Sequence, residues 1–318
     1  MKVWQYQSQQ HQFEPWKKQE SLWESLGQCL GLFPCPYVWN LPPHLAVSLV
    51  GGGGKTSVMY QLALELAAAG KRVIVTTSTN LAWPEFPNQE FPGRNQAFPV
   101  IVKEDQSADE FLQALTRQLK EHSMIMAGGQ ELWRADQTGE QIHKIKGLPV
   151  EVLDAMKFLC DVLLIEADGA RRLPFKVPAE HEPVISAQTD LVIGCMGLDC
   201  IGRPWKEMCF RWELAESVQR GDTGRTLPKP QTARKSLADQ EPPMITPKAA
   251  AEVLGASWGT KKGVQNRPFA VVLNKADDEL RRNTAKEIGR LLGEKKIPCV
   301  MTCFHDSGDC LSSQKSSM

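Results

Sequence analysis

Between an apolar run, Leu45 to Val50, and a helical pattern starting near Thr56, the chain reads Gly51-Gly52-Gly53-Gly54-Lys55-Thr56-Ser57. Glycines there let the backbone turn its N–H groups inward around a polyphosphate, and the helix N-terminus behind them adds the positive end of its dipole. Lys55 would reach the β- and γ-phosphates, and the Thr56 hydroxyl would ligate Mg2+. The run lacks the first glycine of G-x-x-x-x-G-K-[ST], because position 49 is Leu49, and fits a shorter G-G-x-G-K-T form. The plain alternative is a flexible glycine turn with a solvated lysine. The strand–loop–helix setting favours the phosphate reading, because it is the setting that mechanism requires.

A phosphate site of this kind needs an acidic residue at the end of another strand to hold Mg2+, directly or through water. Asp161-Val-Leu-Leu-Ile-Glu166-Ala167-Asp168-Gly169 supplies two, and Glu166 forms an E-x-x-G sequence with Gly169. On a continuing strand Glu166 and Asp168 would share a face. The alternative is an acidic turn closing a strand. Asn274-Lys275-Ala276-Asp277 follows another apolar run, Phe269 to Leu273. At such a place an N-K-x-D sequence recognises guanine, its carboxylate accepting from N1–H and the 2-amino group; otherwise Asp277 is an acid favoured by a helix N-terminus. Thr76, Thr77, Ser78 and Thr79 close a further strand and could face a γ-phosphate or substrate, although threonine is also common in strands on propensity alone. Arg171, Arg172 and Lys176 lie just past the acidic strand end. They could stabilise charge on a γ-phosphate or hold an anionic partner, or be solvated surface cations. His181 and Glu182 are candidates for a base or a metal ligand, with a structural role as the alternative.

These residues are embedded in a chain of 318 with 37 basic and 37 acidic side chains and 42% hydrophobic content. Such a length carries one large domain, or one with a small lobe. Zero formal net charge leaves no excess of positive charge for phosphate backbones or acidic membranes, so neither nucleic acid nor membrane is an expected partner. The apolar runs are strand-sized, far short of the roughly 20 residues that span a bilayer. The polar, Gln-rich start has no secretory h-region, so a cytoplasmic location is expected. Nine cysteines without a C-x-x-C pair suggest reduced thiols.

Apolar runs and helical patterns alternate along most of the chain. Strands are expected at Leu45–Val50, Arg72–Thr77, Pro99–Val102, Ser123–Met126, Asp161–Glu166, Thr189–Gly197, Phe269–Leu273 and Cys299–Phe304. Helices are expected at Thr56–Ala69, Ala108–Glu121, Val150–Phe158, Thr246–Leu254 and Asp277–Leu292. This pattern is an α/β, P-loop NTPase-like three-layer fold with a mostly parallel sheet. Residues 1–44 form a peripheral N-terminal segment with a helix near Ser21 to Leu32, residues 45–305 the α/β domain, and residues 306–318 a flexible tail. Two Pro-, Gly- and charge-rich stretches interrupt the pattern. Ala82–Phe98 is a candidate lid, and the stretch near 217–243 has the composition of a disordered insert.

The stretch Glu166 to Ile185, EADGARRLPFKVPAEHEPVI, together with GGGGKTS and TTSTN, resembles the selenium-dependent hydroxylase accessory protein family, the YqeC-type proteins. The likeness continues through Gly197-Leu198-Asp199, Ile201-Gly202-Arg203-Pro204, Arg211-Trp212-Glu213, Ile245-Thr246-Pro247 and Asn274-Lys275-Ala276-Asp277. It runs from about Leu45 to about Leu292. The chain departs from the family at Asn80, where the family has a lysine, and at Phe210-Arg211-Trp212-Glu213, where the family has H-R-P-E. The resemblance implies a nucleotide-binding accessory factor for the maturation of selenium-dependent molybdenum hydroxylases. On this reading the cofactor is Mg2+ with ATP or GTP. Partners would be the nucleotide and a selenium-dependent molybdenum hydroxylase or its cofactor-handling proteins. Gly51 to Gly54, Lys55, Thr56 and Ser57 would bind phosphate, and Thr56 and Glu166 the metal. Lys55, Glu166, Asp168 and Arg171 would serve hydrolysis, with Asp168 positioning water, and Asn274, Lys275 and Asp277 would read the base. Two rivals stay open: an ATP-dependent kinase or ligase acting on a cofactor precursor, and a non-hydrolysing nucleotide-dependent scaffold.

Overall fold

The computed structural model describes residues 1–6, 16–19, 21–31, 42–83, 99–135, 139–219 and 243–304. Its strands are β1 (Lys2–Tyr6), β2 (Trp16–Gln19), β3 (Leu45–Gly51), β4 (Val73–Thr77), β5 (Asn80–Ala82), β6 (Val100–Val102), β7 (Met124–Gly128), β8 (Glu131–Ala135), β9 (Gln141–Lys146) and β10 (Val162–Glu166). Then come β11 (Phe175–Lys176), β12 (Leu191–Gly197), β13 (Cys209–Phe210), β14 (Phe269–Asn274) and β15 (Cys299–Cys303). The helices are α1 (Leu22–Cys29), α2 (Lys55–Ala68), α3 (Ala108–Glu121), α4 (Val150–Met156), α5 (Trp205–Met208), α6 (Trp212–Gln219), α7 (Pro247–Gly255) and α8 (Glu279–Glu294).

Ten strands form one sheet in the order β2-β1-β15-β14-β12-β3-β10-β4-β7-β6. From β15 to β6 every neighbouring pair is parallel. Such strands are covered on both faces, which explains why β3, β4, β10, β12 and β14 are unbroken runs of buried residues rather than alternating ones. On one face Val47, Leu49, Val73, Val75 and Leu164 pack with α1 and α2 residues. On the other, Ala46, Ile74 and Leu163 pack with α3 and α4, while Val271 and Leu273 pack with α7 and α8 residues. The result is the expected three-layer α/β arrangement. Among the described residues no helix is long and apolar enough to cross a membrane.

The chain runs outward from β3 to β4 and on to the β7–β6 edge, returns to β10 beside β3, then crosses to β12, β14 and β15 on the other side. The direction of winding reverses at β3. Open parallel sheets bind ligands at such a point, outside the carboxyl ends of the strands.

The segment before Leu45 does more than supply a helix. β1 pairs antiparallel with β15, and β2 with β1, so both extend the sheet. Helix α1 buries Leu22, Trp23 and Leu26 completely, each worth about 1.5–3 kcal/mol of burial. Its N-terminus is fastened to α2: Glu65 accepts from the Ser21 hydroxyl (2.8 Å) and from the Leu22 and Trp23 amides (3.1 and 2.8 Å). A second small sheet was also unexpected. β5, β9 and β8 form a small antiparallel sheet, on which the His143 ring is stacked between Trp83 and Trp133 at 4.1 and 4.4 Å. Of the candidate lid and insert, residues 84–98 and 220–242 lie outside the described residues, as do 305–318, while 217–219 end α6.

Candidate functional site

Strand β3 ends at Gly51 and helix α2 begins at Lys55, so Gly51 to Gly54 form the connection at the carboxyl edge of the sheet. Gly51, Gly53 and Gly54 have φ of 98°, 64° and 104°, a region that costs any residue with a Cβ. Space is also closed to a side chain. A Cβ on Gly51 would collide with the Cys195 carbonyl of β12, and one on Gly53 with the backbone of Gly197. The loop is therefore glycine-built because it lies backbone to backbone against the end of β12.

Beneath this loop sits Lys55, only 4% exposed, with Asp168 at 2% and Lys176 at 1%. Charges this deep have to be paired. Lys55 Nζ donates to the Gly51 carbonyl at 2.5 Å and pairs with Asp168 Oδ1 at 3.1 Å. The Gly51 amide donates to both Asp168 oxygens, each at 3.1 Å. Lys176 Nζ meets the other side of the same carboxylate at 3.0 Å, Glu182 at 2.7 Å and the Gly169 carbonyl at 2.6 Å. Arg211 completes the chain with its own ion pair to Glu182. Burial by itself would push the Lys55 ammonium down, but the Asp168 and Glu166 carboxylates outweigh it and hold its pKa above the usual value. Glu182 shows the same balance: burial acts to raise it, and Lys176 and Arg211 overcome that and hold it low.

Glu166, at the end of β10, lies in register with Leu49 of β3 and Thr77 of β4. Its Oε2 accepts from the Thr56 hydroxyl at 2.9 Å. Burial raises its pKa despite the opposing Lys55 charge. A hydroxyl and a buried carboxylate in contact at the start of the helix are hard oxygen donors of the kind Mg2+ takes, and Mg2+ fills its other positions with water and phosphate. Among the described residues no three His, Cys, Asp or Glu side chains cluster as a metal cage. Thr56 and Glu166 are the pair beside the loop that could hold such an ion.

Asn274 joins the second motif to the first. Its side-chain amide donates to the Gly53 carbonyl at 3.1 Å, while its oxygen accepts from the Lys275 amide at 2.8 Å and the Thr302 hydroxyl at 3.0 Å. Lys275, at a φ of 63°, extends to Asp199 at 2.6 Å. Asp277 is bonded to Arg281 at 2.9 Å and to the Cys303 thiol at 3.4 Å. The helix expected from Asp277 starts two residues later, at Glu279: Asp278 caps α8, accepting from the Arg281 amide at 2.8 Å.

Gly51 to Gly54, Lys55, Thr56, Glu166, Asp168 and Asn274 thus come together around one loop, with Ser57 exposed on the first turn of α2. Other candidates go elsewhere. Arg171 lays its guanidinium over the Phe210 ring, 4.9 Å from the centroid, and Arg171 and Arg172 are both exposed. Lys176, read alongside them as a possible surface cation, points inward. Thr76 donates to the Ala127 carbonyl and Thr77 to the Glu166 carbonyl, both at 2.9 Å, and Ser78 to the Val184 carbonyl at 3.1 Å. Those hydroxyls tie the strand ends together. His181 is exposed.

Sequence reasoning missed the course of residues 173–176. The Gly53 amide donates to the Leu173 carbonyl at 3.1 Å, and the Gly197 amide to the Pro174 carbonyl at 2.9 Å. This segment crosses the glycine loop and continues into β11, which pairs with β13. The one available signal was Phe175-Lys176-Val177, a strand-like triplet in which a lysine follows a core aromatic. Nothing in it announces a buried ammonium.

The sequence profile of the family described as YqeC protein matches residues 47–213. A curated relative, the uncharacterized protein YqeC of Escherichia coli (strain K12), is 35% identical over 171 residues, covering 52% of this chain and 57% of the relative. The chain therefore spans somewhat over half the length of that relative. The matched region contains the glycine loop, Glu166, Asp168 and the crossing segment, and the chain belongs to the YqeC family.

Proposed function

From membership of the YqeC family and the geometry of the glycine loop, we propose that the chain is a P-loop-type, Mg2+-dependent nucleotide-binding accessory factor. The observation that carries the reading is the buried Lys55 ammonium under a backbone-packed glycine loop, beside the Thr56–Glu166 pair. Each group has a task. The loop amides and Lys55 bind and orient the polyphosphate, and the N-terminus of α2 favours its charge. Thr56 and Glu166 hold Mg2+, which supplies charge neutralisation to the phosphates when bound. Asn274 fixes the loop through the Gly53 carbonyl, and Asp277 would read a guanine edge by exchanging its bonds to Arg281 and Cys303. GTP and ATP are both candidate ligands, separated by the effect of Asp277→Asn on a preference for GTP over XTP.

The biological role follows the family resemblance: assistance, in the cytoplasm, to the delivery or insertion of selenium or the molybdenum cofactor in a selenium-dependent molybdenum hydroxylase. NTP hydrolysis is the expected activity. A kinase or ligase would need Arg171, Arg172 and Lys176 as one anion-binding cluster for its precursor, and that alternative loses support because Lys176 is buried and Arg171 stacks on Phe210.

The test is made in cells that contain the hydroxylase and lack this chain. Restoring the wild type should restore hydroxylase activity and the selenium or molybdenum content of the purified hydroxylase. Lys55→Ala should restore neither, and full restoration by that variant would contradict the reading.

A further inference from the structure

Three of the donors that a phosphate needs are engaged by one stretch of this chain, while the Gly52 amide donates to the Cys195 carbonyl of β12 at 3.0 Å. The Gly51 amide and Lys55 Nζ bond the Asp168 carboxylate, and the Gly53 amide bonds the Leu173 carbonyl. Gly52 is closed in as well, since a Cβ there would press on the Leu173 carbonyl and the Phe175 backbone. The segment from Asp168 to Lys176 thus sets an anion and a carbonyl against the glycine loop.

We propose that Asp168 is an internal competitor for the phosphate cradle, and that Lys176 is the cation that receives it when a polyphosphate enters. This inference rests on the nucleotide reading above. A carboxylate and a phosphate both seek the Lys55 ammonium and the Gly51 amide, and the two cannot share them without bringing negative charges together in a buried place. Lys176 meets Asp168 on the side away from Lys55, bonding Oδ2 while Lys55 bonds Oδ1. A carboxylate leaving Lys55 therefore keeps a partner. Because Lys176 also holds the Gly169 carbonyl and Glu182, and Glu182 holds Arg211, loss of the Asp168–Lys55 pair is felt along the segment up to β13. Displacing Leu173 from the Gly53 amide frees the crossing segment from the loop.

Charge balance adds a consequence. Lys55, Lys176 and Arg211 are matched by Glu166, Asp168 and Glu182. A polyphosphate entering this network adds negative charge, which a bound Mg2+ would partly offset. The competition also lowers apparent affinity by the fraction of time the cradle is free, so a cradle open a tenth of the time binds about tenfold more weakly.

Equilibrium binding of Mg·GTP and Mg·ATP to the wild type, Asp168→Asn, Lys176→Met and Lys55→Ala tests this. Asp168→Asn should bind about tenfold more tightly than the wild type, and Lys176→Met more weakly, because Asp168 then has only Lys55 to pair with. Opposite signs distinguish competition from a structural role, which would weaken both. Equal or weaker binding by Asp168→Asn, with Lys55→Ala still defective, overturns the inference and leaves the nucleotide reading standing. Failure of the wild type to bind either nucleotide overturns both. Should a variant not fold, hydrogen exchange on the wild type decides. Peptides spanning residues 168–176 and the Gly197 amide should exchange faster when Mg·nucleotide is added, and unchanged or greater protection overturns the inference.

Discussion

The side chain of Asn274 donates to the carbonyl of Gly53 across 221 residues of sequence, and in doing so binds the end of β14 to the glycine loop after β3. No backbone pairing joins those two strands, because β12 lies between them. The contact predicts that Asn274→Ala leaves the Gly53 carbonyl and the Thr302 hydroxyl short of a buried partner. A loss of about 1–3 kcal/mol is expected in denaturant unfolding, together with weaker nucleotide binding. Unchanged stability would show that the loop holds its shape without this tie.

Gly53→Ala should be more damaging to binding than Gly70→Ala. Both positions have positive φ, 64° and 79°, so the conformational cost of about 1–2 kcal/mol is common to them. Only at Gly53 does the new methyl meet the Gly197 backbone, whereas the space at Gly70 is open. Nucleotide titrations on the two folded variants make the comparison, with equal affinities as the outcome against it.

Two buried glutamates give opposite pH signatures. Glu182 is held below its ordinary value of 4.5 because Lys176 and Arg211 outweigh its burial. Its contribution to stability is complete above that ordinary value and is lost as pH falls through the lowered one. Glu166 is held above 4.5 by burial, so the folded state takes up its proton first and stability falls as pH rises from 4.5 through the raised value. Unfolding curves across pH should therefore show that Glu182→Gln removes part of the acid-limb loss, whereas Glu166→Gln removes part of the decline on the other side. Glu166→Gln should also weaken Mg2+-dependent binding, which separates the proposed metal contact from the cost of Glu166 to the fold.

Burial pushes the Cys160 and Cys195 thiols up to about 12, and raises Cys200, Cys209 and Cys299 as well. Thiolates are the reactive form, so a brief alkylation pulse near pH 8 should leave these five unlabelled until the chain is unfolded. Peptide mass spectrometry reads this directly, and rapid labelling of Cys195 would contradict the packing of β12 behind the loop.

The parallel core was legible because each of its strands is a short apolar run bounded by a glycine or a polar cluster, and α3 was read with the boundaries it has, Ala108 to Glu121, where the structure adds a capping box of Ser107 and Glu110. β1 and β2 escaped because their aromatic and polar residues carry no continuous apolar run, and they become strands by pairing, β1 onto the open side of β15 and β2 onto β1. The start of α8 was misplaced by two residues, Asp277 against Glu279, since Asp277 and Asp278 are equivalent as acids and only geometry selects the cap. At the site, the glycine loop, Lys55, Thr56 and Glu166 were readable from spacing. The inward turn of Lys176 was not, because its partners Asp168 and Glu182 flank it in sequence without any periodicity that marks a shared interior.

The central claim is that Lys55 and its loop bind a nucleotide polyphosphate. Calorimetric titration of the wild type and Lys55→Ala with GTP and ATP, each with and without Mg2+, addresses it most directly. The account predicts Mg2+-dependent binding of at least one nucleotide by the wild type. In Lys55→Ala, loss of a charged hydrogen-bond donor should reduce affinity by about ten- to a hundredfold. Absence of binding by the folded wild type, or equal binding by the folded Lys55→Ala, would contradict it.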